Sequence, residues 1–135
     1  MSDSEQRDAF LAATHFCILG TIRRDGRPRL SPMTMAYGDG KILITTMSKR
    51  AGAITARRDP RVTVCCFNPS QRRSYVNVSG RAEVIADEEL FLQHARLTRG
   101  RELTEEELAE QKRRFVEEQR VVLRITPEEF YDHIV

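Results

Sequence analysis

Tryptophan is absent from this sequence, and so are low-complexity tracts and any apolar segment approaching the length that crosses a bilayer. The opening residues, MSDSEQRDAF, are acidic and polar where a signal peptide would be basic and then apolar. A cytoplasmic protein with no membrane partner is expected. Cysteine is scarce and odd in number, with Cys17, Cys65 and Cys66 only. Cys65 and Cys66 are neighbours, so on a strand they face opposite sides, and reduced structural thiols are expected. Together with His15, His94 and His133 the cysteines show no metal-ligand spacing, so no metal site is assigned. Neither His15 nor His94 has a carboxylate or nucleophile at telling spacing, and no catalytic side chain is assigned.

Excess charge is also small. A net charge of +2 over 135 residues does not suit a dedicated nucleic-acid binder. Its distribution is uneven, however: Lys49, Arg50, Arg57, Arg58 and Arg61 stand against the single acid Asp59, while acids concentrate between Asp87 and Glu118. The basic segment contains no aromatic, which argues against single-stranded nucleic acid and for a small anionic ligand.

What is present reads as one domain, residues 1–135, rich in short strands. Residues 4–14 suggest an opening helix with Ser4 as N-cap. Strands are expected at Phe16–Ile22, Arg27–Ala36, Lys41–Thr46, Arg61–Phe67, Ser74–Ile85 and Arg120–Ile125, from alternation or short apolar runs between turn signals. Asp25-Gly26 and Gly38-Asp39-Gly40 mark tight turns, and Gly80 marks a bulge or close approach. Ala51–Arg58 is helical in composition and is stopped by Asp59-Pro60. Asp87 is positioned to cap a helix through Thr98, and Thr104 with Glu107 makes a capping box for another to about Glu118. Thr126-Pro127 suggests one last capped turn. These elements predict a mainly β fold with added helices: a small closed antiparallel barrel in meander order, with helices at the barrel ends. Its interior would be filled by its own side chains, so a large ligand must bind outside, in a groove at a subunit boundary.

The segment Lys41–Asn68 draws most attention. A strand ends in Thr45, Thr46 and Ser48, and a helix begins beside Lys49 and Arg50, so hydroxyls, cations and free helix N–H groups converge on one spot. That is an anion site of generic chemistry.

The segments DGRPRLSPM (residues 25–33), ILITT (42–46), RRDPRVTV (57–64) and YVNVSGRAEV (75–84), in this order and spacing, resemble the split β-barrel flavin and deazaflavin oxidoreductases, the pyridoxamine 5'-phosphate oxidase-like proteins. Within them the chain is most similar to the short group using the deazaflavin coenzyme F-420. The resemblance implies an FMN-binding-like split barrel, a homodimer with cofactor grooves between subunits, and hydride exchange between reduced deazaflavin and a small organic acceptor. It implies further that Ser31, Pro32 and Met33 lie along the cofactor ring, and that Thr45, Thr46, Ser48, Lys49 and Arg50 hold the phosphate end. Arg57 is added as a cofactor contact, with the alternative that Arg57 and Arg58 solvate a helix face or meet its C-terminal dipole. Tyr75 is a candidate on the substrate side of the groove, although an aromatic on a strand also suits core or interface. Many relatives carry a lysine where this chain has Gly52, and a glycine there would let the backbone approach a ligand closely. FMN is the alternative cofactor, and a non-catalytic protein that stores or senses cofactor is the alternative of another class.

Overall fold

The computed structural model describes residues 1–135. In chain order it contains α1 (Asp3–Ala12), β1 (Phe16–Ile22), β2 (Pro28–Gly38), β3 (Lys41–Met47), α2 (Ala51–Arg58), β4 (Arg61–Asn68), β5 (Gln71–Ile85), α3 (Glu88–Arg99), α4 (Glu105–Glu117) and β6 (Arg120–His133). No helix is long and apolar enough to cross a membrane.

All strand pairings are antiparallel, and the ring of pairings runs β1-β2-β3-β6-β5-β4, with β4 returning to β1. This corrects the expected simple meander, because the late strand β6 is inserted between β3 and β5. The long β5 and β6 hold each other from Tyr75–His133 to Ile85–Val122. By contrast β2 and β3 pair only over Met35–Ile44, Ala36–Leu43, Tyr37–Ile42 and Gly38–Lys41. The next positions, Thr34 opposite Thr45 and Met33 opposite Thr46, are unpaired, so the uniformly closed wall that was expected is instead split there. Met35 donates its N–H to the His15 carbonyl (3.0 Å). Main-chain groups alternate sides along a strand, so those of Thr34 and Pro32 turn the other way, toward the split. Proline is tolerated at such an edge because its missing N–H would have had no partner.

The interior is one cluster of 17 buried residues, to which the strands contribute Leu19, Met35, Ile42, Ile44, Val64, Val76, Val78, Leu123 and Ile125 among others. Burying side chains of this size contributes about 1.5–3 kcal/mol each. Leu11 of α1 and Ala53 and Ala56 of α2 join that cluster, and α2 touches β1, β3 and β5, so it bridges strands around the barrel mouth. The expectation of helices at the ends fails for α3 and α4. Leu43 of β3 and Val122 of β6 point outward, and Phe91 of α3 covers them in a separate cluster, with Phe115 of α4 packed behind. An apolar outer wall has to be covered, and this one recruits the late helices. Phe91 and Phe115 meet with ring centroids 5.6 Å apart.

Local signals account for most boundaries. Gly26 and Gly40 adopt positive φ in the two tight turns. Asp87 accepts from the Leu90 N–H, and Thr104 and Glu107 form the capping box. Three details differ from expectation. Ser2 rather than Ser4 caps α1, in a box with Glu5. β5 begins at Gln71, three residues early. Finally, no turn forms at Thr126-Pro127, where β6 continues instead to His133. The register shifts at Gly80, and a Cβ there would stand 2.1 Å from the Thr126 carbonyl oxygen. The absent side chain lets the two strands stay together past the proline.

Candidate functional site

A cavity of about 670 Å³ lies at the split between β2 and β3. One wall is the free part of β2, with Ser31, Pro32, Met33 and Thr34; another is the end of β3, with Thr45, Thr46 and Met47, running into Arg50, Ala51 and Gly52 at the start of α2. The third wall comes from α3, α4 and β6: Phe91, His94, Ala95, Thr98, Arg99, Gln111, Arg114 and Arg120. Five arginines line the cavity (Arg29, Arg50, Arg99, Arg114 and Arg120) and no acidic residue does.

The start of α2 is built to leave donors free. Arg50 is the N-cap and makes no side-chain capping bond, and the first helical bond is donated by Ile54 to the Arg50 carbonyl. The N–H groups of Ala51, Gly52 and Ala53 therefore have no intrahelical acceptor, at the positive end of the helix dipole.

Of the residues read from the sequence, Ser31, Pro32, Met33, Thr45, Thr46 and Arg50 come together around this cavity. Ser48, Lys49 and Arg57 do not line it. Arg57 donates to both the main-chain oxygen and the hydroxyl of Ser48, each at 2.7 Å, so the two residues occupy one another. Lys49 is exposed. Tyr75 lies on the β5–β6 wall, opposite His133 and stacked with Tyr131 at 6.2 Å, outside the cavity lining. Arg58 bonds the Ile22 carbonyl, and Arg61 pairs with Asp59 at 2.7 Å, holding that carboxyl down at about 2. Gly52 lines the cavity, but the space where its Cβ would stand faces the Met33 methyl, 3.3 Å away. Its small size serves packing of Met33, a reason the expected ligand approach did not include.

Sequence reasoning missed the third wall. His94 is buried, and its Nε2 donates to the Thr34 carbonyl at 3.2 Å, a group released by the split. A carbonyl only accepts, so that nitrogen carries the proton. Burial pushes the His94 pKa down to about 4, helped by His15, Arg120 and Arg99, so the ring is neutral near pH 7. Arg114 and Arg120 both donate to Glu118, at 3.2 and 2.8 Å, and Arg120 is the main cause that lowers the Glu118 pKa. Arg99 and Arg101 hold Glu107 in the same way. The signal that could have revealed this wall is the spacing Glu107, Gln111, Arg114, Glu118, one polar stripe along α4 beside apolar Leu108 and Phe115. The cysteines are no part of the site: Cys17 and Cys66 are buried and free, with the Cys17 thiol pushed up to about 12 by desolvation.

Comparisons place this geometry in context. A conserved hypothetical protein from Mycobacterium tuberculosis is 26% identical, superposes with a TM-score of 0.82, and the match covers 99% of this chain and 85% of that one. A protein described as an F-420 reductase is 22% identical with a TM-score of 0.68, covering 92% and 94%. The haem storage protein HutZ from Vibrio cholerae is 14% identical with a TM-score of 0.72, covering 98% and 95%. At such identities the last two show the fold alone. No curated protein matches the chain. The family model for pyridoxamine 5'-phosphate oxidase matches residues 4–134, nearly the whole chain, and the protein belongs to that family.

Proposed function

We propose that the protein is an oxidoreductase that transfers hydride between the deazaflavin coenzyme F-420 and an organic acceptor, with the cofactor seated at the split in the barrel wall. The observation that carries this reading is the cavity itself: about 670 Å³, lined by five arginines and no acid, beside main-chain groups freed by the parting of β2 and β3. Its volume is within the usual range for small-molecule sites. The donor set fits an anionic, planar ligand. Arg50, Thr45, Thr46 and the open N–H groups of α2 suit a phosphate, and the β2 edge along Ser31, Pro32 and Met33, with the Pro32 carbonyl and the Thr34 N–H turned to the split, suits the rim of a ring that accepts and donates hydrogen bonds.

One feature favours F-420 over FMN. A second hollow of about 390 Å³ shares Arg29 and Ala51 with the main cavity and adds Arg23, Arg24 and Arg58, with one acid, Asp25, paired to Arg23 at 3.2 Å. A long tail of carboxylates would run over these cations, whereas the shorter tail of FMN would not use them.

Bound in reduced form, a deazaflavin supplies hydride from its central ring carbon. The chain's own part would be to hold that ring against β2, to keep His94 neutral against Thr34, and to screen the site with Phe91 and Met33. No side chain is required as an acid or a nucleophile. We further propose a cytoplasmic homodimer whose second copy closes the open side of the cavity, where Phe16 on its rim and nearby Leu30 are exposed.

Titrating the purified protein with F-420 and with FMN, while following cofactor fluorescence, tests the reading. Saturable F-420 binding is expected. A clear FMN response without one for F-420 transfers the assignment to an FMN-dependent enzyme. Bound cofactor that reduces no acceptor in a broad panel identifies a carrier.

A further inference from the structure

We infer that Gln111, Arg114 and Arg120 form an oxyanion subsite on the α4 wall of the cavity, which binds a carboxylate carried by the organic acceptor. The inference deepens the oxidoreductase reading and rests on it for the identity of the ligand.

Gln111 is the key observation. It is only 7% exposed, its side-chain amide makes no hydrogen bond within the chain, and it lines the cavity. No side-chain polar atom in the molecule is fully buried without a partner, so this amide is not sealed from solvent, and Gln111 is part of the cavity lining. A glutamine on this polar stripe that is nonetheless largely withdrawn from water loses solvation unless something bonds it.

Its neighbours supply the charge. Arg114 follows Gln111 by three residues and shares its face of α4. Arg120 sits opposite Met47 at the start of β6, on the same outward side as Val122. Both arginines are anchored through Nε to one carboxylate, Glu118, at 3.2 and 2.8 Å, and their terminal nitrogens make no other hydrogen bond. Two guanidinium groups pinned at Nε with free forks, next to an unpartnered amide, are a preorganised oxyanion receptor. The α2 end of the cavity, with Arg50, and the hollow at Arg23, Arg24 and Arg58 already provide for phosphate and tail. With phosphate and tail assigned there, the amide and arginines of the α4 wall are left for the acceptor.

The test follows the Gln111 side-chain amide and the Arg114 and Arg120 Nε–H signals by NMR in the wild-type protein, on adding succinate, F-420 and FMN separately. Succinate is expected to shift all three signals, with Arg114→Met and Gln111→Leu each weakening it at least fivefold. Neither substitution is expected to abolish F-420 binding, since the phosphate is assigned to Arg50 and the start of α2. If the signals move with F-420 and not with succinate, and Arg114→Met loses F-420 affinity, the subsite belongs to the cofactor tail and the acceptor assignment is overturned. If no ligand moves them while F-420 still binds, there is no subsite and the oxidoreductase reading stands. If succinate moves them while neither cofactor binds, the subsite stands and that reading falls.

Discussion

β5 and β6 stay paired from Tyr75 to Ile85 with one shift at Gly80, whereas β2 and β3 stay paired over only four positions and then part. Along the first wall the main-chain groups are spent on each other, and Tyr75, Tyr131 and His133 stack against themselves. Along the second, the strands separate, the Thr34 carbonyl is taken up by His94 from α3, and a cavity opens beside the free end of α2. A closed seam spends its main-chain groups on stability, and a split seam leaves groups free for the proposed binding. Substitutions in the two regions should therefore register on different instruments.

The largest effect belongs to the closed wall. Gly80→Val puts side-chain atoms where the Thr126 main chain already lies, 2.1 Å from the first of them, and neither strand can yield without unpairing. A loss of about 3 kcal/mol or more is expected in urea unfolding.

Acid acts on the split wall instead. The His94 pKa is lowered in the folded protein from 6.5 to about 4, so the folded state binds fewer protons than the unfolded chain between these values. This contribution to stability is complete above pH 6.5 and is lost as pH falls toward 4, by on the order of 3 kcal/mol. Unfolding curves across that interval, with His94→Phe as the comparison, isolate it: the variant should lose the steep part of the pH dependence.

Arg50→Ala removes a charged donor at the mouth of α2 and should weaken F-420 binding about tenfold, ~1.4 kcal/mol, with little change in unfolding. Tyr75→Phe on the closed wall should change neither. Equal effects of the two on binding would erase the distinction between the walls. Gly52→Ala is expected to have only a small effect: the Met33 methyl 3.3 Å away is the mobile end of a flexible side chain, and a shift under about 1 kcal/mol in thermal unfolding is expected.

The sequence was most legible where chemistry is local. The turns at Gly26 and Gly40, the caps at Asp87 and Thr104, the Ala51–Arg58 helix and the strain point at Gly80 all follow from residues a few positions apart. Half of the site was legible in the same way, since Thr45, Thr46 and Arg50 belong to one strand-to-helix turn. The other half was not. His94, Gln111, Arg114 and Arg120 reach the cavity only because β6 inserts between β3 and β5 and carries the late helices onto the outer wall. Strand order is a long-range property, and nothing local to Arg120 announces that it will stand beside Met47. Ser48 and Arg57 illustrate the converse, two polar residues suited to a ligand that satisfy each other.

Amide hydrogen exchange with and without F-420 tests the central claim most directly. Slowed exchange confined to Thr34, Thr45, Thr46 and residues 51–53, with residues 75–85 unchanged, is the predicted result. Protection appearing along β5 and β6 instead, or nowhere while F-420 is bound, would contradict the placement of the cofactor at the split.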